Sequence, residues 1–153
     1  QAILLKLPIF SGIIKKINIA RFARTISSLL KTDIMIIKTF QITASVLGNL
    51  HYRKAVEEMS EKIKKGEQIN EVIKKYPKLF PPVVVQMTLV GEQTGELDSI
   101  LSELAEFYEG EVSQTMDNLP AIIEPLLILI LGIGVGAIAV AIIMPMYSLT
   151  SAI

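Results

Sequence analysis

LLILILGIGVGAIAVAII, residues 126–143, is a run of 18 residues without one charged or hydrogen-bonding side chain. As a helix rising about 1.5 Å per residue it covers about 27 Å, close to the ~30 Å hydrocarbon core of a bilayer. A helix buried in a soluble protein seldom stays apolar on every face for so long. The stretch predicts one transmembrane helix over residues 120–147, followed by a short non-cytoplasmic tail at 148–153. The rest of the chain is read outward from it.

Immediately upstream, GEQTGELDSILSELAEFYEGEV (91–112) gathers seven carboxylates and no base. This belongs to a polarity that the formal net charge of zero conceals. All 15 basic residues lie at or before Lys78, and residues 1–78 hold six of the 15 acids, giving 15 − 6 = +9. The remainder holds nine acids and no base, giving −9. A nucleic-acid-binding surface wants a basic patch without a compensating acidic half, so that class is set aside. The opposed halves are expected to pair within the fold or to face different partners. Cysteine is absent, which excludes disulfides and thiolate metal sites.

Helical periodicity dominates residues 18–119. Ile19, Phe22, Ala23, Ile26, Leu29 and Leu30 recur at i, i+3, i+4, i+7, with Arg21, Arg24, Ser27 and Ser28 opposite. Asp33 is the expected N-cap of a second helix, which ends near Gly48-Asn49. A third helix runs from about His51 to Lys65 with the stripe Tyr52, Val56, Met59 and Ile63, and Gly66 stops it. Ile69, Val72, Ile73 and Tyr76 mark a short fourth helix, and PKLFPP makes a stiff connector. VVVQMTLVGEQT is read as a fifth helix, because its β-branched run has no second strand to pair with. After Gly95 a long sixth helix carries the seam Leu97, Leu101, Leu104, Tyr108, Val112, Met116 and Leu119. Short connectors imply antiparallel neighbours, so the fold class is all-α: a six-helix antiparallel bundle over 18–119, then one transmembrane helix. Residues 1–17 read as a juxtamembrane segment. The chain opens with Gln in QAILLKLPIF, which reads as a piece of a longer protein lying beside an earlier span. No signal-peptide cleavage pattern follows it.

Pro120 and Pro125 interrupt the junction with the span, so a kink or break is expected there. Glu124 stands just before the apolar run and is expected at the interface or against another helix. Gly132 and Gly136 form a GxxxG pair, the spacing that lets helix backbones approach closely in lipid. His51 is the only histidine; a phosphorelay role is weighed against capping or surface placement beside Asn49. The acidic cluster lacks the interleaved glycine turn of a calcium loop, so no metal is expected there. Glu96 and Asp98 suit a helix N-terminus, and the later acids keep the sixth helix's outer face wet. Glu92, late in the fifth helix, sits at the unfavourable end of a helix dipole and wants an arginine, with Arg21 and Arg24 as the candidates.

RFARTISSLL (21–30), Gly48-Asn49 with Tyr52, FPPVVVQM (80–87), VGEQTGELDSIL (90–101), FYEGEV (107–112) and IEPLLILILGIGVG (123–136) together resemble the type II secretion F-protein family, which includes platform proteins of type IV pilus assembly. The chain departs from the family pattern at KTDIMI (31–36). The resemblance implies the second of two similar cytoplasmic helical domains plus the last span of a bacterial or archaeal inner-membrane protein. It further implies a non-enzymatic platform without cofactors, working beside a cytoplasmic assembly ATPase, pilin or pseudopilin subunits and other inner-membrane assembly proteins, and acting as a homo-oligomer. Carried over by motif, the marked positions are Arg21, Arg24 and Thr25; Asn49; Phe80 and Pro81; Gly91, Glu92, Gly95 and Leu97; and Glu124 with Pro125. Competing readings are a membrane-anchored signalling bundle that uses His51, and a transporter fragment with Glu124 as a proton relay.

Overall fold

The structure, a computed structural model, describes residues 8–150, with side chains placed for 12–121 and 123–143. The start of the expected juxtamembrane segment, residues 1–7, and the end of the tail, residues 151–153, lie outside these residues. Among the described residues there are seven helices and no strand: α1 (Pro8–Leu30), α2 (Ile36–Val46), α3 (Leu50–Lys64), α4 (Ile69–Lys74), α5 (Pro82–Thr94), α6 (Leu97–Asp117) and α7 (Leu119–Thr150). The chain divides into two compact units between Ser113 and Gln114. The all-α reading, six helices and then a long apolar one, is the architecture found.

Several boundaries differ for local reasons. α1 already runs from Pro8, whose ring suits a first helical turn, so much of the expected juxtamembrane segment is one helix with the bundle's first element. Asp33 does not cap α2. It takes φ +57°, a left-handed conformation that a short polar side chain tolerates, and closes the end of α1. Its N–H donates to the Leu30 carbonyl at 3.0 Å, and the next residue's N–H reaches Leu29 at 3.3 Å. Met35 stands at the N-cap of α2 with no side-chain cap. Asn49, expected as a helix stop, is instead the N-cap of α3: its Oδ1 accepts from the His51 and Tyr52 amides at 2.9 and 3.4 Å. The preceding helix end is closed by Arg53, whose Nε and Nη2 both donate to the Leu47 carbonyl. Gly95 behaves as expected, at φ +77°.

Phe80 organises the core of the first unit from a connector rather than a helix. Its ring lies 4.9 Å from Phe22 of α1 and 5.5 Å from Tyr52 of α3, and Phe22 reaches Phe40 of α2 at 6.1 Å. These separations fall in the range of favourable tilted and edge-to-face pairs. Tyr52 stays buried because its hydroxyl donates to the Leu79 carbonyl at 2.7 Å, which also pins the connector that carries Phe80. Ile19, Ile26, Val56, Met59, Val72, Val84, Leu101 and Leu104 fill the space around these rings. Thr43 and Thr88 are admitted to this core by donating to carbonyls four residues back, each at 2.8 Å.

α5 and α6 meet more closely than two side-chain-bearing helices can. A Cβ placed on Gly91 would stand 2.9 Å from the Leu97 Cα and 3.3 Å from the Ile100 Cβ. Backbone is hard to displace, so Gly91→Ala is expected to lose about 1–3 kcal/mol through overpacking. Phe80→Ala is expected to lose about 3–5 kcal/mol through the cavity left beside the Phe22 and Tyr52 rings, and Phe80→Leu distinctly less. Chemical denaturation of the full chain in detergent, followed by circular dichroism, measures all three.

Candidate functional site

Glu92 is on α5 within one turn of its C-terminal end, where the helix dipole disfavours a carboxylate. Its two oxygens are taken by the start of α4: the Ile69 amide donates to Oε1 at 2.8 Å and the Asn70 amide to Oε2 at 3.1 Å. α4 has only six residues, and Gln68 at its N-cap makes no side-chain cap bond. Glu92 therefore supplies from another helix the acceptor that α4 lacks, and the positive end of α4 offsets the negative end of α5. The arginine partner expected for Glu92 is not there. The overlooked signal was the absence of Ser, Thr, Asp or Asn before Ile69. Gly91, Glu92, Gly95 and Leu97 do come together, lining an open groove with Lys31, Asp33 and Asp98.

The arginine side of that expectation is satisfied on α6. Arg24 Nε donates to Glu109 Oε1 at 2.9 Å and Nη2 to Oε2 at 2.7 Å, a two-pronged pair, with Glu106 at 3.9 Å from Nη1. Lys16 donates to Glu111 at 2.8 Å, and both Arg24 and Lys31 reach the Ser102 hydroxyl at 3.4 Å. Position along α1 rises as position along α6 falls, so the two helices run antiparallel with their charges in register. Glu106, Glu109 and Glu111 thus do more than keep α6 wet: they bind the basic α1, and here the two oppositely charged halves of the chain pair. The hydrogen bond from Arg24 holds the Glu109 carboxyl below its usual range and the Glu109 carboxylate raises the Arg24 guanidinium. Thr25 and Arg21 border the same surface, with the exposed Arg21 guanidinium beside Gly48.

Asn49, Phe80 and Pro81 serve the fold: a cap, the core and the residue before the Pro82 that opens α5. His51 is exposed at the start of α3 and gives its backbone amide to Asn49. In the second unit α7 is 32 residues long, and residues 123–143 are exposed along its whole circumference. None of its 18-residue apolar window is buried in the chain, which rules out a core helix of this unit. Gly132 and Gly136 have open space where a Cβ would be, and Glu124 is exposed. The interruption expected at Pro120–Pro125 lies one step earlier, at Asn118, and the helix continues through Pro125. Pro120 has no N–H to give the Met116 carbonyl, so α6 cannot run on through it, and as the second residue of α7 it stands in a first turn, where proline is tolerated.

Glu92→Ala is expected to raise hydrogen exchange at the Ile69 and Asn70 amides and to destabilise by about 1–2 kcal/mol, whereas Arg24→Ala leaves exchange in α4 unchanged. Because folding lowers the Glu109 pKa, its contribution is present at neutral pH and fades as pH falls through the carboxylate range. The pair is about half exposed, so it is worth no more than about 0.5–1 kcal/mol. Unfolding midpoints measured from pH 7 down to pH 3 are expected to show a smaller acid loss in Glu109→Gln than in the parent.

Comparison with known proteins follows the same lines. The family model for type II secretion system protein F matches residues 22–145. The chain is 38% identical over 145 residues, 95% of its length, to the type IV pilus assembly protein PilC of Thermus thermophilus. It is 35% identical over 125 residues, 82% of its length, to PilC of Pseudomonas aeruginosa. It is 30% identical over 151 residues, 99% of its length, to the type II secretion system protein F of Aeromonas hydrophila. The matched regions make up 36%, 33% and 39% of those proteins, so the chain spans little more than a third of the relatives it matches. With most of the bundle, the α5–α6 corner and the apolar run of α7 inside the matched region, the chain belongs to the type II secretion system protein F family.

Proposed function

We propose that this chain is part of an inner-membrane platform that couples a cytoplasmic assembly ATPase to the insertion of pilin or pseudopilin subunits into a growing filament. The observation that carries the reading is the junction of α6 and α7. α6 is tied into the first unit by an apolar seam and by ion pairs, and a single non-helical residue later the chain becomes a helix with no polar face. A helix anchored in that way can pass a displacement along its axis, whereas a loop would absorb it. The role is mechanical, and its partners are the ATPase, the filament subunits, other inner-membrane assembly proteins and further copies of itself.

In this reading α7 crosses the bilayer, the first unit lies in the cytoplasm and the C-terminal tail lies outside. Asn118, Pro120 and Pro125 form the joint that turns motion of α6 into motion of α7, with the proline rings limiting which way it bends. Glu124 holds the interface end of the span or meets another helix there. The relatives' names, pilus assembly and type II secretion, support this setting.

Glu124→Ala and Pro125→Ala, introduced in the native cell, are expected to abolish filament assembly or secretion. The proteins should still resist alkaline carbonate extraction from membranes. Normal assembly in both variants overturns this mechanical role. His51→Ala is expected to leave assembly unchanged, and its loss of function would favour a signalling role for that side chain instead.

A further inference from the structure

Two surfaces of the first unit stay largely exposed, and they complement each other. The first is a ridge on α6. Phe107 is 58% exposed, the most open aromatic side chain among the described residues of the bundle, with its ring edge-on to Tyr108 at 5.3 Å. Glu103 and Gly110 lie one turn to either side of it, with Glu106 adjacent, all exposed; Glu106 stands 3.9 Å from Arg24 and still leaves 67% of its side chain open. Gly110 is mid-helix, where glycine costs about 1 kcal/mol relative to alanine. A Cβ there would meet nothing within 4 Å, so packing inside this chain does not require the glycine. Glycine in such a place suits close approach of a backbone from outside.

The second is a groove between α3 and the connector before α5. Ala55, Pro77 and Leu79 give it an apolar lining, and His51, Lys54 and Lys78 stand around it. Glu58, the only carboxylate on it, is occupied by the Tyr76 hydroxyl, which donates at 2.6 Å. Lys54 and Lys78 form no ion pair among the described residues. The groove is a basic-rimmed slot for an apolar side chain flanked by acids.

We propose that the α6 ridge of one copy docks into the α3 groove of a second copy, with Phe107 on Ala55, Pro77 and Leu79, and Glu103 and Glu106 against Lys54 and Lys78. A symmetric α6–α6 contact would bring Glu103 and Glu106 against their own copies in a chain with no base after Lys78, and like charges face to face are destabilising. The contact is therefore heterologous, head to tail, which closes into a ring or extends as a helical array. It specifies the surfaces of the self-association included in the platform reading, and rests on that reading only for its setting.

The absence of cysteine makes the test direct. Full chains carrying His51→Cys and full chains carrying Gly110→Cys are mixed in proteoliposomes and treated with a short bis-maleimide. The mixture is expected to give a cross-linked dimer several-fold above either chain alone. Lys54→Glu with Lys78→Glu on the first chain, or Glu103→Lys with Glu106→Lys on the second, is expected to reduce it several-fold. Both reversals together restore it. All four positions are exposed, and circular dichroism verifies folding. A dominant Gly110→Cys self-link, a yield indifferent to charge reversal, or no cross-link overturns the proposal. Filament assembly is a separate readout, so failure of this contact is distinguishable from failure of the platform reading.

Discussion

How α6 is held decides what the first unit can be. Leu97, Leu101, Leu104 and Tyr108 bury one stripe of the helix against α1 and its neighbours, and the burial ends at Tyr108. One residue further on, the Arg24–Glu109 pair takes over, then Lys16–Glu111. Apolar contact supplies most of the free energy and the ion pairs, half exposed, supply little. What the pairs add is register: a two-pronged guanidinium–carboxylate contact tolerates little sliding of α1 along α6. The helix is thus gripped from Leu97 to Glu111.

The other polar contacts follow one rule: a group that cannot be hydrated is given a partner, even from a distant part of the chain. α4 is too short to be stable alone, and its first amides are served by Glu92, more than twenty residues away. The end of α2 is closed by Arg53, and the buried Tyr52 hydroxyl is satisfied by the Leu79 carbonyl. Among the described residues no buried side-chain polar atom is left unpaired. The Glu92 and Arg53 contacts join consecutive helices across their connectors, and the Tyr52 contact ties α3 to the connector before α5, so each short element depends on its neighbours.

In the second unit a different solvent changes the rules. A helix apolar on all faces gains nothing from a bundle of its own in water and is at home in hydrocarbon, where its backbone bonds are satisfied internally. Glycines that would weaken a helix in water are tolerated there and permit close helix contact. Of the acids before it, Glu106, Glu109 and Glu111 are met by Arg24 and Lys16 of α1.

Much of the architecture was legible in the sequence because it rests on near-neighbour patterning. The apolar run at 126–143, the 3.6-residue stripes, the glycine stops at Gly66 and Gly95 and the proline connector are each local signals, and each element stands where its signal lies. Pro8 was a usable sign of an earlier start to α1. Choices between donors and acceptors that lie far apart in sequence were not legible. Nothing near Glu92 says that its oxygens meet the amides of Ile69 and Asn70, and nothing near Arg24 says that Glu109 is nearer than Glu92. Asp33 and Asn49 are both competent as cap or stop, and the roles they took depend on which way the next helix had to leave. Periodicity and composition determine which segments are helical and which solvent each face prefers. Which carboxylate meets which cation is decided only when helices pack, because hydrogen bonds act over about 3 Å and that distance is set by the fold.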